Sequence, residues 1–199
     1  MARRLRLSLP DFSGGEAAFI TFNYDRSLEH FFYESLRNSF TEVPEDHIVQ
    51  SLNQLRILHV YGQILPLKWQ DAEVGVDYKP QQRNETLLQK AAANLRTIYE
   101  QKTSPELNEA QEFLSHAEQI FFLGFGYAPE NMNVLNLPGV IPSPYCEVLG
   151  TVLDAENKEF EDIRIRFISG LKDDPLAGKN PGRLKFENMD CLKLLRNYL

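Results

Sequence analysis

The stretch Ala17-Ala-Phe-Ile-Thr-Phe-Asn-Tyr-Asp-Arg-Ser-Leu-Glu29 decides how the chain is to be read. Its first six residues, Ala17 to Phe22, are apolar, β-branched or aromatic, the composition of a buried strand. The run halts at the polar cluster Asn23-Tyr24-Asp25, after which Leu28, Phe31, Phe32 and Leu36 recur at helical spacing. The segment predicts a strand, a polar turn and a helix. In open α/β sheets the ligand crevice lies outside the carboxyl ends of the strands, which makes the turn a candidate site. Asn and Asp also favour helix N-caps, so Asn23 and Asp25 fit a capping role as well, and spacing leaves both readings open.

Working outward, strand and helix patterns alternate. Leu55 to Tyr61 is a second apolar strand that stops at Gly62. Gln119 to Leu123 is a third, leaving through Gly124-Phe125-Gly126-Tyr127 into a helix with Pro129 near its start. Glycines at such a turn let backbone approach a ligand, and a helix N-terminus beside it suits a phosphate or ribose edge. Gly-x-Gly without a third glycine is also an ordinary tight turn. Cys146 to Leu153, with Gly150 and Thr151 inside it, is a fourth strand, and Arg183 to Glu187 a short extended piece. Helical spacing covers 84–102, a helix led by Ser104 as N-cap and Pro105, a helix from Ala155 to Ser169 capped by Asp154, and a closing helix from Met189. In that last helix Asn188 is the expected cap, with Leu192, Leu195 and Tyr198 inward. His47 to Gln54 reads as a short helix or part of a loop. Residues 63–80 show no period and carry the only tryptophan, Trp69, which suits either a lid over the crevice or a packing excursion.

The expected architecture is α/β, a Rossmann-like doubly wound and mostly parallel sheet of four or five strands flanked by helices. A chain of 199 residues, 43% hydrophobic and 25% charged, suits one domain spanning 1–199 behind a loose leader at 1–16. The formal charge of −7 argues against non-specific nucleic-acid binding. No run is long enough to cross a bilayer, and Pro10, Asp11 and Gly14-Gly15 interrupt any signal core after the basic start, so a cytoplasmic location is expected. Cys146 and Cys191 lie far apart, and His30, His47 and His116 have no partner at metal-ligand spacing, so no metal site is expected and both thiols read as buried.

Three motifs in order, Thr21-Phe22-Asn23-Tyr24-Asp25, Leu58-His59-Val60-Tyr61-Gly62 and Phe122-Leu123-Gly124-Phe125-Gly126-Tyr127, give the chain a family likeness. It resembles the sirtuin-like family of NAD-consuming proteins, in the bacterial branch that lacks the four-cysteine zinc module and often serves antiphage defence. The resemblance implies NAD as substrate or ligand, with NAD glycohydrolase chemistry ahead of protein deacylation. Asn23 takes the place of the family's catalytic asparagine. The family's histidine falls at Tyr61, while His59 lies two residues back on the same strand face, about 6–7 Å away. Either His59 or Tyr61 then supplies the proton acceptor, or the site is silent and His59 is a satisfied core histidine. Thr21, Asp25, Gly62, Gly124, Phe125, Gly126, Tyr127, Gly150 and Thr151 are the implied NAD contacts, with Gly126 where a hydroxyl residue often stands.

Scission of the nicotinamide–ribose bond builds positive charge on the ribose as neutral nicotinamide leaves. It asks for one group that orients water or ribose hydroxyls and one that takes a proton. Residues 1–16 do not carry the family's Gly-Ala-Gly phosphate loop, which implies either the carboxyl-terminal portion of a longer domain or a lost pyrophosphate cradle. The alternative function is a catalytically silent nucleotide-sensing or interaction module that binds NAD or ADP-ribose, with homo-oligomerisation left open.

Overall fold

The computed structural model describes residues 9–10, 17–79, 85–95, 104–142, 146–153, 157–170 and 183–199. The chain divides into two compact units, Met1–Glu106 and Leu107–Leu199.

In the first unit the opening stretch forms strand β1, Ala18–Thr21, and helix α1, Ser27–Ser39. Helix α2, Glu45–Leu52, leads to strand β2, Arg56–His59. β1 and β2 pair in parallel from Ala18 opposite Arg56 to Thr21 opposite His59. Parallel neighbours need a crossover, and α1 and α2 supply it. Tyr33, Leu36, Ile48 and Leu52 are the core between these helices, with Phe32, Phe40, Val49 and Trp69 packed against it. Trp69 stacks on Tyr33 at 5.2 Å with an interplanar angle of 5°. The 63–79 excursion therefore delivers a packing residue to the core. It folds back on itself: Val76 N donates to the Pro66 carbonyl at 2.9 Å and Lys68 N to the Val76 carbonyl at 3.1 Å. Burial, with the hydrogen bond to Glu45, pushes the Tyr33 hydroxyl up to about 12. Helix α3, Glu85–Ala93, follows.

The second unit carries most of helix α4, Pro105–His116, then strand β3, Gln119–Phe122, and helix α5, Pro129–Val134. Strand β4, Glu147–Thr151, helix α6, Asn157–Gly170, strand β5, Leu184–Glu187, and helix α7, Cys191–Tyr198, complete it. The sheet order is β3-β4-β5, parallel throughout, with Ile120 opposite Val148 and Val148 opposite Leu184. The central strand β4 is buried along Val148, Leu149, Gly150 and Thr151, as a strand with neighbours on both sides and helices against it should be. Phe122, Tyr127, Phe167 and Phe186 form an aromatic core, the last two 4.9 Å apart.

The α/β class and the parallel pairing agree with the sequence. The single sheet of four or five strands does not: among the described residues the strands form a two-stranded and a three-stranded sheet. Every ladder hydrogen bond of β1 and β2 is made within one unit and every one of β3 to β5 within the other. The closing helix also begins later than its spacing suggests. Asp190, not Asn188, is the cap, its Oδ1 accepting from Lys193 N at 2.8 Å. Leu194 is consequently the buried residue of α7, while Leu192 is 57% exposed and Leu195 and Tyr198 are half-buried. His47 sits in α2 rather than a loop, and Cys191 is half-buried rather than buried. The expected cap at Asp154 and the helix beyond Leu95 lie outside the described residues. No helix among the described residues is long and apolar enough to cross a membrane.

Gly150 marks the tightest point of the second unit. A Cβ there would overlap the Tyr127 hydroxyl and come 2.8 Å from Phe186 Cδ1, both in the buried core. Gly126 is open by comparison, a Cβ meeting only Asn131 Nδ2 at 3.5 Å. In urea titrations Gly150→Ala is expected to lose about 1–3 kcal/mol of stability, the usual cost of overpacking. Gly126→Ala should stay within about 0.5 kcal/mol of the wild type.

Candidate functional site

β1 and β2 end at the paired residues Thr21 and His59, so their carboxyl ends lie at one edge. The chain leaving β1 turns at once. Asn23 N donates to Thr21 Oγ1 at 3.1 Å, and Ser27 N donates to Asp25 Oδ1 at 2.7 Å, an Asx turn that opens α1. Asp25 therefore does the local job its residue type suggests. Hydrogen bonds from the Ser27 hydroxyl and then the Ser27 N–H hold its carboxyl below the ordinary carboxylate value, with His59 adding a smaller pull. Asn23 and Tyr24 are exposed. A cavity of about 330 Å³ opens here, lined by Thr21, Asn23, Asp25, Ser27, Leu28, Phe31 and His59.

Beneath this rim lies a buried polar cluster. His59 Nδ1 is 2.7 Å from the Asn23 carbonyl oxygen, and its Nε2 is 2.7 Å from Glu29 Oε1. Arg26 Nη1 lies 3.0 Å from the same Glu29 oxygen. The guanidinium also donates from Nη1 to Gln63 and from Nη2 to Gln70 Oε1 at 2.5 Å. Burial pulls Arg26 below its ordinary value, with Glu29 opposing. Sequence reasoning missed Arg26, Glu29, Gln63 and Gln70. One signal was present: the buried positions of α1 are Glu29, Tyr33 and Leu36, so an acidic residue stands in line with the inward stripe.

Tyr61, the other candidate proton acceptor, is half-buried with its ring edge-on to Phe22 at 5.3 Å and 77°, and it is not among the residues lining the cavity. Gly62 has φ 76°, and a Cβ there would overlap the Asn94 carbonyl, so its bareness admits the chain after α3.

The implied contacts of the second unit form a set of their own at the ends of β3 and β4. Gly124, at φ 60°, donates its N–H to Thr151 Oγ1 at 2.8 Å, and the Thr151 hydroxyl reaches the Phe122 carbonyl at 3.4 Å. The Tyr127 hydroxyl donates to the Thr151 carbonyl at 3.3 Å, and burial raises its pKa. The Gly126 carbonyl accepts from Asn131 Nδ2 at 2.9 Å, and Phe125 packs 5.2 Å from both Phe122 and Tyr127. Much of the polar capacity of Gly124, Tyr127 and Thr151 is thus spent inside the turn, and Gly150 is the space into which Tyr127 packs.

The structure brings Thr21, Asn23, Asp25 and His59 together around one cavity, and Gly124, Phe125, Gly126, Tyr127, Gly150 and Thr151 together at the ends of β3 and β4. Comparison of the chain with protein-family models, with curated proteins and with solved structures finds no match. The first-unit cavity lies at the low end of the roughly 300–1,000 Å³ of small-molecule sites. Its wall sets hydroxyl, amide and carboxylate groups beside the apolar Leu28 and Phe31. No cluster of His, Cys, Asp or Glu suited to a metal occurs among the described residues.

Two measurements check these assignments. The Asp25 carboxyl is depressed from 3.8, so its contribution to stability is fully present above that value and is lost as pH falls through the lowered one. Asp25→Ala should therefore cost about 0.5–1 kcal/mol at pH 7, with the gap to wild type closing in strong acid. For the thiols, burial pushes buried Cys146 up to about 11, while Cys191 is half-buried. A disulfide-exchange reagent at pH 8 should label Cys191 first in the folded protein and Cys146 only on unfolding.

Proposed function

We propose that this chain is a sirtuin-like, NAD-binding domain whose parallel strands belong to a Rossmann-like arrangement. On this reading the cavity at the ends of β1 and β2 takes the nicotinamide-ribose end of NAD. One observation carries the proposal: Asn23, exposed on the turn after β1, shares a cavity with Thr21, Asp25, Ser27 and His59. An amide both donates and accepts, so Asn23 can hold a ribose hydroxyl and a water together. Asp25, kept ionised by Ser27, is an acceptor for a second hydroxyl. Hydrolysis would break the ribose–nicotinamide bond and join water oxygen to the ribose carbon. The products are ADP-ribose, nicotinamide and a proton.

A silent nucleotide-binding module is the second reading, and a specific observation favours it. Both ring nitrogens of His59 are already engaged, by the Asn23 carbonyl and by Glu29, which leaves neither free to take a proton from water.

Purified protein incubated with NAD separates the two. The hydrolase reading expects nicotinamide release that falls about 10²-fold in Asn23→Ala, the scale of a lost positioning contact. The silent reading expects NAD or ADP-ribose to raise the melting temperature with no nicotinamide released. Neither a thermal shift nor release, in a folded wild type, would sink the dinucleotide assignment.

A further inference from the structure

We infer that Glu29 is a positioning residue for the Asn23 turn and acts through His59; this deepens the function proposed above and rests on it only for what the turn binds. His59 faces a carbonyl oxygen at Nδ1 and a carboxylate oxygen at Nε2, each at 2.7 Å. Both neighbours accept, so hydrogen bonding at both positions requires a proton on each ring nitrogen. Glu29 Oε1 is the partner that draws the Nε2 proton, and it accepts from Arg26 Nη1 as well. The Arg26, Glu29 and His59 side chains are only 3–4% exposed, so a carboxylate is retained here in the company of two donors.

Geometry converts that pairing into control of the turn. His59 is the last residue of β2 and Glu29 lies in the first turn of α1, while the Asn23 carbonyl belongs to the chain between β1 and α1. The ring spans all three. Arg26 extends the same link to Gln63 and Gln70 in the excursion after β2. With Gln at position 29, the amide oxygen still accepts from Arg26 Nη1, but a neutral carbonyl no longer balances a charged imidazolium, and the ring would keep a single proton. A neutral ring is a weaker donor to the Asn23 carbonyl than a doubly protonated one. The Asn23 side chain would then sit on a looser backbone.

Nitrogen-15 NMR of the imidazole rings in the full chain at neutral pH reads this directly. The wild type is expected to show protons on both His59 ring nitrogens. Glu29→Gln is expected to keep a single ring proton, and to lower kcat for NAD cleavage about tenfold with KM little changed; for a silent site NAD affinity falls instead. A single ring proton in the wild type overturns the inference, even if Glu29→Gln does not fold. Two ring protons with kcat and NAD affinity unchanged in Glu29→Gln also overturn it, while leaving NAD binding intact. Two ring protons in the wild type, one in the variant and no response of either to NAD uphold the role of Glu29 and remove the dinucleotide reading.

Discussion

A carboxylate taken out of water between a guanidinium and an imidazole is the constraint around which the first unit is arranged. Glu29 can remain buried because Arg26 and His59 meet the same oxygen, and those partners come from different places in the chain. Removing both partners would leave an ion in an apolar setting, and breaking a buried pair commonly costs about 3–5 kcal/mol. The parallel pairing of β1 with β2 puts His59 opposite Thr21, and the Asx turn at Asp25 starts α1 so that Glu29 faces back toward the sheet. Register, turn and helix phase thus converge on one oxygen atom.

The second unit is held by shape more than by charge. Its central strand is buried, its aromatic side chains meet edge to face, and a bare backbone at Gly150 makes room for Tyr127. The hydrogen bonds at the ends of β3 and β4 knit Gly124, Tyr127 and Thr151 to one another. Such a turn is held by hydrogen bonds of its own.

Much of the fold was legible because apolar runs and turn residues are local signals. The strand after Ala17, the strand before Gly62 and the run ending at Phe122 all form within a few residues of their expected limits. Helix α7 was misphased because Asn188 and Asp190 are both good caps, and only the three-dimensional path selects the carboxylate that reaches Lys193 N. The grouping of strands into sheets is non-local and left no mark in spacing. At the candidate site Asn23, Asp25 and His59 were readable from their strand ends. The Glu29 pairing was not, since an acidic residue in an amphipathic helix ordinarily faces solvent and its partners Gln63 and Gln70 lie in a stretch with no period.

The stacking of Trp69 on Tyr33 gives the molecule a built-in optical label. The chain has one tryptophan, and its indole stacks nearly parallel to a phenol ring 5.2 Å away. Indole emission responds to such a neighbour, so intrinsic fluorescence follows the helical core of the first unit. The second unit has no indole of its own, and its melting must be followed by another signal.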